Sequence, residues 1–150
     1  MQNDTIQICE QLLYQAESIG EGGKYTEAIA KINEAINHLV YFTPLDAQQD
    51  KKASLLHNCF FTAGRYYFEL KQFEQAIENF ITAKLFVSSK EDTDRLDGWI
   101  DGSFDEYEFL LREENTKKDT ISELRKLKKK LAQNNIQIPA RIEKLLKRYG

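Results

Sequence analysis

The chain has 150 residues, of which 41% are apolar and 30% charged, with only seven glycines and two prolines. This composition excludes a disordered or collagen-like chain, and the length is sufficient for one domain with its own core. The net charge of −3 is unevenly distributed. Residues 1–116 carry 10 Lys or Arg and 21 Asp or Glu, a net charge of −11, whereas residues 117–150 carry 11 and 3, a net charge of +8. The chain is therefore acidic with a basic C-terminal segment.

Apolar residues recur at helical spacing along the chain, and no strand-like alternation between tight turns occurs, so the sequence predicts an all-α fold. A first helix, capped by Asp4 or Thr5, should end at the sequence GEGGK. The next three helices are expected, in chain order, at residues 26–42, ending before Pro44, at 53–70 and at 73–88. Because the links are short, consecutive helices should pack as antiparallel hairpins.

The C-terminal part of the chain is less regular. Glycines and acidic residues in 90–102 predict a loop or a frayed turn. Ser103 with Glu106, and Thr120 with Glu123, have the spacing of capping boxes that open two further helices, which could also fuse into one. A last helix should begin at Pro139. One domain is expected, with helix pairs in 1–43 and 51–89 and basic capping helices in 103–150.

Two helix pairs align as an internal repeat, because GGKYTEAIAKINEAI matches LKQFEQAIENFITAK. In the second copy, Gly64, Ala76 and Ala83 are small residues that allow close helix approach, while Tyr67 and Phe80 fill the space around them. Gly64 costs about 1 kcal/mol relative to alanine within a helix, so close packing must compensate for it. This spacing resembles the tetratricopeptide repeat, with one strong and one moderate copy. The copies lie 48 residues apart, where that family has 34.

The resemblance implies a superhelix of hairpins in which the first helix of each pair lines a groove for a peptide or helix of another protein. The implied groove residues are Leu13, Glu17, Asn58, Phe61, Arg65, Phe68 and Glu69. Phe61, Arg65 and Phe68 share one helical face and are expected to point outward as partner anchors. The alternative is that the C-terminal helices cover this face. The chaperone-tail clamp of some family members is disfavoured, because Leu13, Glu17 and Thr62 replace its lysine and asparagine.

The function implied is therefore that of an adaptor, scaffold or co-chaperone-like module. One alternative is nucleic-acid or anionic-surface binding by the basic segment, although that segment has no aromatic residue from 117 to 131 and its charges could instead be solvated or balanced by the acidic residues 91–114. The residues of this predicted basic patch are Lys126, Lys128, Lys129, Lys130, Arg141, Lys144, Lys147 and Arg148. Self-association, for example as a homodimer, is a second alternative.

The sequence contains few candidates for catalytic or metal-binding residues. Residues 97–108 resemble a calcium-binding EF-hand loop, but Trp99 stands where an oxygen ligand is needed, and an acidic surface loop is the simpler interpretation. His57 is expected to be a structural or capping residue, and no catalytic motif surrounds it. Cys9 and Cys59 have no metal-ligand spacing and are expected to be buried thiols. The sequence thus predicts no enzyme, cofactor, metal site, targeting segment or membrane span, and a cytoplasmic protein.

Overall fold

Residues 2–150 are described by the computed structural model of the chain, which contains seven α-helices there. The helices are α1 (Gln2–Glu21), α2 (Tyr25–Val40), α3 (Gln49–Glu69), α4 (Phe73–Lys84), α5 (Lys90–Arg112), α6 (Glu114–Gln133) and α7 (Ala140–Tyr149). A short 3₁₀ helix at Asp46–Gln48 precedes α3. No strand occurs within residues 2–150, so the predicted all-α fold is confirmed.

Three helix pairs follow one another: α1 with α2, α3 with α4, and α5 with α6. Each pair packs on the next through α2 against α3 and α4 against α5, and α7 packs against α6 and α5. Left-handed backbone at Gly23 (φ 83°) and Lys71 (φ 60°) reverses the chain within the first two pairs. The helical hairpins are therefore arranged as adjacent pairs, and α1 and α3 contact one another directly.

Two clusters of buried apolar side chains form the core. One is contributed by α1, α2, one face of α3 and the connection before it, and the other by α4 to α7. Phe60 and Tyr67 of α3 pack against both clusters. The helix α3 therefore joins the two halves of the molecule.

The small residues of the second hairpin lie at a close helix contact, as the sequence predicts. Ala76, Ala83 and Phe80 are completely buried. A Cβ atom added at Gly64 would lie 2.6 Å from Cε1 of Phe80, closer than real side chains approach. The missing side chain at position 64 is therefore the space that the Phe80 ring occupies.

Both cysteines are free thiols in the interior, which confirms their predicted burial. The Cys9 thiol donates a hydrogen bond to the Ala35 carbonyl oxygen at 3.6 Å. Burial raises the pKa of Cys59 to about 12, and the nearby Cys9 and Glu17 contribute further. Neither group has the lowered pKa of a reactive thiol.

The prediction of a loop at 90–102 is wrong, because α5 runs without interruption from Lys90 to Arg112. The Ser89 side chain caps this helix and accepts a hydrogen bond from the Asp92 amide at 3.1 Å. One stripe of buried residues continues along the helix: Leu96, Ile100, Ser103, Phe104, Tyr107 and Leu111. Gly98 and Gly102 face open space, so their helix penalty is offset by the burial of the opposite face.

Both predicted capping boxes are also wrong. Ser103 lies inside α5 and donates a hydrogen bond to the Trp99 carbonyl oxygen at 2.8 Å. Thr120 is buried inside α6, which begins at Glu114. The C-terminal helices therefore start at Lys90 instead of residue 103.

Other boundaries shift by about one helical turn. Asp4 and Thr5 lie inside α1 and do not cap it, because that helix begins at Gln2. His57 does not cap α3 but is a structural residue in its interior, where it is buried with Nδ1 3.3 Å from the Ala83 carbonyl oxygen. The helix α4 ends at Lys84, one turn before the predicted end at residue 88.

Replacing Glu123 of α6 with glutamine should stabilise the fold at about pH 7. Partial burial raises the pKa of Glu123, and the Glu74 and Asp119 carboxylates raise it further. A raised pKa means that the folded state binds this proton more readily than the unfolded state does, so the ionised group opposes folding above its folded pKa. The penalty fades as the pH falls through that pKa, and it is absent below about pH 4, where the carboxyl group is protonated in both states.

Thermal unfolding of Glu123→Gln and the parent chain at neutral and acidic pH measures this difference. We expect a higher melting temperature for the variant at neutral pH and equal melting temperatures at the acidic end. Glu106→Gln is the matched control, because Glu106 is exposed and has no ion pair in the part of the chain that the structure describes. A gain of equal size at both pH values would contradict the assigned cause.

Candidate functional site

The predicted groove residues on α1 and α3 differ in exposure. Glu17, Asn58, Arg65 and Glu69 are exposed. Leu13 is only 7% exposed and belongs to the core formed by the first three helices, so its assignment to an open groove is wrong. On α1, Leu13 therefore faces the core between the helices and does not face the groove.

The aromatic anchors Phe61 and Phe68 are half-buried and do not point freely outward, contrary to the prediction. The Trp99 ring of α5 meets Phe68 edge-on at a centroid distance of 5.6 Å and Phe61 edge-on at 6.3 Å. Trp99 also lies 5.6 Å from the ring of Phe80. The alternative left open by the sequence, that C-terminal helices cover this face, therefore applies to these two side chains.

Arg65 remains at the surface beside this aromatic cluster. Its guanidinium carbon lies 5.8 Å from the centroid of the Phe61 ring, and the guanidinium of Arg95 from α5 lies at the same distance from that ring. Such contacts between a cation and an aromatic face contribute about 0.5–1 kcal/mol at exposed sites. Arg95 also pairs with Asp92 at 3.2 Å, so its charge is already partly compensated.

A pocket of about 210 Å³ lies between the C-terminal ends of α1 and α3, the start of α2 and the middle of α5. Its lining residues are Gly20, Glu21, Tyr25, Arg65, Tyr66, Glu69 and Trp99. The rings of Tyr25 and Tyr66 are 5.4 Å apart, which gives the pocket an aromatic wall. The end of the Tyr66 ring reaches Gly20 so closely that any side chain there would collide with it.

The electrostatics of this pocket are mixed, with more negative than positive charge. Glu21 and Glu69 each contribute a carboxylate to the lining, and Arg65 contributes a guanidinium. Burial raises the pKa of Tyr66; Arg65 lowers it, whereas Glu17 and Glu21 raise it. The tyrosine therefore stays neutral and offers an apolar surface beside carboxylates. A long aliphatic side chain that ends in a cation would match this chemistry.

Of the pocket residues, Arg65 and Glu69 were predicted from the sequence as groove residues, whereas Glu21, Tyr66 and Trp99 were not. The periodic pair Leu96 and Ile100 could have placed Trp99 beside the buried face of a helix. The predicted loop at 90–102 concealed that signal.

Half of the predicted basic patch is paired with acidic residues of other helices. Lys128 lies 2.8 Å from a carboxylate oxygen of Glu143. The Lys130 ammonium lies 3.4 Å from Glu78 and 3.5 Å from Glu74, both on α4. These charges are therefore not available as one uninterrupted positive surface.

The same holds for the two arginines of α7. Arg141 pairs with Asp105 and lies 3.3 Å from Glu108. Arg148 lies 3.3 Å from Glu108 as well. These pairs confirm the alternative that the acidic residues 91–114 partly balance the basic segment. Among the remaining patch residues, Lys144 and Lys147 are exposed on α7, whereas Lys126 and Lys129 line a cleft on α6.

Residues 97–108, which resemble a calcium loop, lie entirely within the helix α5. The predicted acidic loop is therefore wrong. Within the residues that the structure describes, no group of three or more His, Cys, Asp or Glu side chains is placed to bind a metal ion. No helix in this part of the chain is long and apolar enough to cross a lipid bilayer.

Comparisons of the chain with protein-family models, with curated proteins and with solved structures found no match. The resemblance to the tetratricopeptide repeat therefore depends on the motif residues themselves. Any function assigned to the groove must be argued from its geometry and charge.

Proposed function

We propose that this chain is a non-catalytic, tetratricopeptide-like interaction module that binds a peptide segment of another protein across the face of α1, α3 and α5. The observation that carries the proposal is the pocket on this face, with aromatic walls from Tyr25 at the start of α2, Tyr66 and Trp99 and with Glu21 and Glu69 in its lining. In the repeat family that the sequence resembles, this face is formed by the first helix of each pair.

The size of the pocket favours one side chain of a peptide over a small-molecule ligand. Its volume is about 210 Å³, whereas pockets for drug-sized ligands have about 300–1,000 Å³. A peptide that inserts one residue here would gain the rest of its contacts from the adjoining surface of α3, where Asn58 and Arg65 are exposed.

The charge of this region favours a basic peptide. Residues 1–116 carry a net charge of −11, and Glu10, Glu17 and Glu21 are exposed along α1. An acidic surface attracts and orients a cationic segment before close contacts form. We therefore expect lysine or arginine at the inserted position, with the aliphatic stem against the aromatic rings and the cation near Glu21 and Glu69.

Selection from a displayed random-peptide library, followed by titration of a synthesised binder, tests this function. Because Trp99 is the only tryptophan in the chain and lines the pocket, its fluorescence reports directly on occupancy. We expect selected peptides to share a basic residue, and Glu21→Gln/Glu69→Gln to weaken their binding about tenfold, since each exposed ion pair contributes up to about 1 kcal/mol.

Glu27→Gln/Glu34→Gln is the matched control, because it removes two exposed carboxylates from α2 and should leave the affinity unchanged within about twofold. Sedimentation at two concentrations accompanies the titration, since the predicted self-association would alter its stoichiometry. Binders that leave Trp99 fluorescence unchanged and bind both double variants equally would overturn the assignment of the site. Failure of the library to yield any binder would overturn the function.

A further inference from the structure

An open cleft of about 700 Å³ follows one side of α6 and ends at the C-terminal end of α7. Five basic residues line it: Lys117, Lys118, Arg125, Lys126 and Lys129. Glu114 is the one acidic side chain in this lining, and Ile121, Ser122, Tyr149 and Gly150 complete it. Three of the five cations, Lys117, Lys118 and Arg125, lie outside the basic patch predicted from the sequence.

The five cations of this cleft have no ion pair within the described residues, and among the other basic residues of α6 and α7 only Lys144 and Lys147 share this property. Lys128, Lys130, Arg141 and Arg148 each have an acidic partner within 4.0 Å. No acidic partner within 4.0 Å and no hydrogen bond of the five cleft side chains is present in the part of the chain that the structure describes. Glu114 in the lining and Glu123, which interacts electrostatically with Lys126, offset only part of this charge, so the cleft concentrates positive charge in a protein whose net charge is −3.

We propose that this cleft binds a compact ligand that carries several phosphate groups. Phosphate monoesters have a charge of about −1.5 to −2 near neutral pH, so two or three of them would compensate the five cations. Lysine ammonium groups bind phosphate oxygens as point charges, and Arg125 can donate paired hydrogen bonds from its guanidinium. The Ser122 hydroxyl in the same lining supplies a further donor.

A compact polyphosphate fits the surroundings better than a nucleic acid does. Nucleic-acid interfaces bury at least about 600–1,000 Å² and follow an extended basic stripe. Beyond this cleft acidic residues interrupt the positive charge, with Glu143 beside Lys128 and with Glu108 beside Arg148, and only Lys144 and Lys147 stay unpaired on α7 within the described residues. An extended polyanion that continued along α6 and α7 beyond the cleft would meet these acidic residues.

The single aromatic residue of the cleft is poorly placed for stacking on bases. Tyr149 is half-buried, the guanidinium of Arg148 lies 5.3 Å from its ring centroid, and its hydroxyl interacts with Arg112. Proteins that bind single strands use exposed aromatic rings as stacking platforms. This proposal is independent of the peptide groove, which lies on other helices.

Isothermal titration with inositol hexakisphosphate as the probe tests the cleft. The variant Lys126→Gln/Lys129→Gln removes two cleft charges, and Lys144→Gln/Lys147→Gln removes two exposed charges from α7 outside the cleft. We expect the first to weaken binding about tenfold and the second to change it less than about twofold. Binding should weaken as salt is added, because mobile ions screen exposed charges.

Vesicles that contain phosphatidylinositol bisphosphate distinguish the source of the phosphates. Binding to the soluble probe alone indicates a free polyphosphate. Binding to these vesicles but not to phosphatidylserine vesicles of equal charge indicates a lipid headgroup. Either result supports phosphate binding in the cleft. The variant Lys126→Arg/Lys129→Arg should retain affinity for the soluble probe and for the vesicles. Equal losses in the two glutamine variants, no binding at low salt, or tighter binding of a single-stranded RNA of matched charge would overturn the proposal.

Discussion

Leucine at position 64 should lower the free energy of unfolding by about 3 kcal/mol, at the upper end of the usual cost of overpacking. An added Cβ atom would lie 2.6 Å from Cε1 and 2.7 Å from Cδ1 of Phe80. The Phe80 ring is completely buried and is flanked by Phe61 at 6.1 Å and Trp99 at 5.6 Å, so it has no free space to move into. The strain must instead be absorbed by separating α3 from α4.

Guanidinium unfolding followed by Trp99 fluorescence measures this loss. The melting temperature should fall by roughly 6–12 °C for a chain of this length. Gly102→Ala is the matched control, because Gly102 also lies inside a helix but has no atom within 4 Å of an added Cβ. Alanine there should stabilise the protein by about 0.5–1 kcal/mol through helix propensity. The two glycine substitutions are therefore expected to have opposite signs. An unchanged melting temperature for Gly64→Leu would contradict the close helix contact and the repeat assignment that predicted it.

The first four helices were predictable because their signals are local. Gly22 and Gly23 stop α1, Pro44 follows α2, and the repeated small and aromatic residues mark the hairpins. Gly64 was also assigned correctly as a contact point from sequence alone, since only a close neighbour explains a glycine at that position in a strongly periodic helix.

The fifth helix was not predictable in this way, because its stability comes from tertiary burial. Gly98, Gly102 and several acidic residues each disfavour a buried helix locally. The opposite face buries Leu96, Ile100 and Phe104, and each large apolar side chain contributes about 1.5–3 kcal/mol. The capping-box pattern failed for a related reason: a serine within a helix can bond the carbonyl oxygen four residues earlier, as Ser103 does.

The candidate sites show the same division between local and distant information. Helical spacing alone predicts that Arg65 and Glu69 share a surface on α3. That Trp99 covers Phe61 and Phe68, and that Glu108 pairs with Arg141 and Arg148, depends on α5 packing against distant helices. Which lysines stay unpaired is therefore a property of the assembled fold and is not visible in a charge run.

Alanine in place of Trp99 should lower the free energy of unfolding by about 3 kcal/mol. The indole ring contacts Phe61 and Phe68 of α3 and Phe80 of α4, so its removal leaves a cavity between the second hairpin and α5. Partial exposure of Trp99 keeps the expected cost at the lower end of the range for aromatic-to-alanine substitutions in cores. Because the variant lacks the fluorescent reporter, far-UV circular dichroism must follow its unfolding.

Phe109→Ala provides the comparison within the same helix, since Phe109 is 58% exposed and its loss should cost less than about 0.5 kcal/mol.

Trp99→Phe should recover part of the stability by refilling the cavity with an aromatic ring. It should recover less of the peptide affinity, because the smaller ring cannot line the pocket of α1 and α3 as fully. Equal stability of Trp99→Ala and Phe109→Ala would show that α5 does not pack on the aromatic face of α3. In that case both the covered aromatic cluster and the peptide pocket beside it would have to be abandoned together, because the same indole ring forms a wall of each.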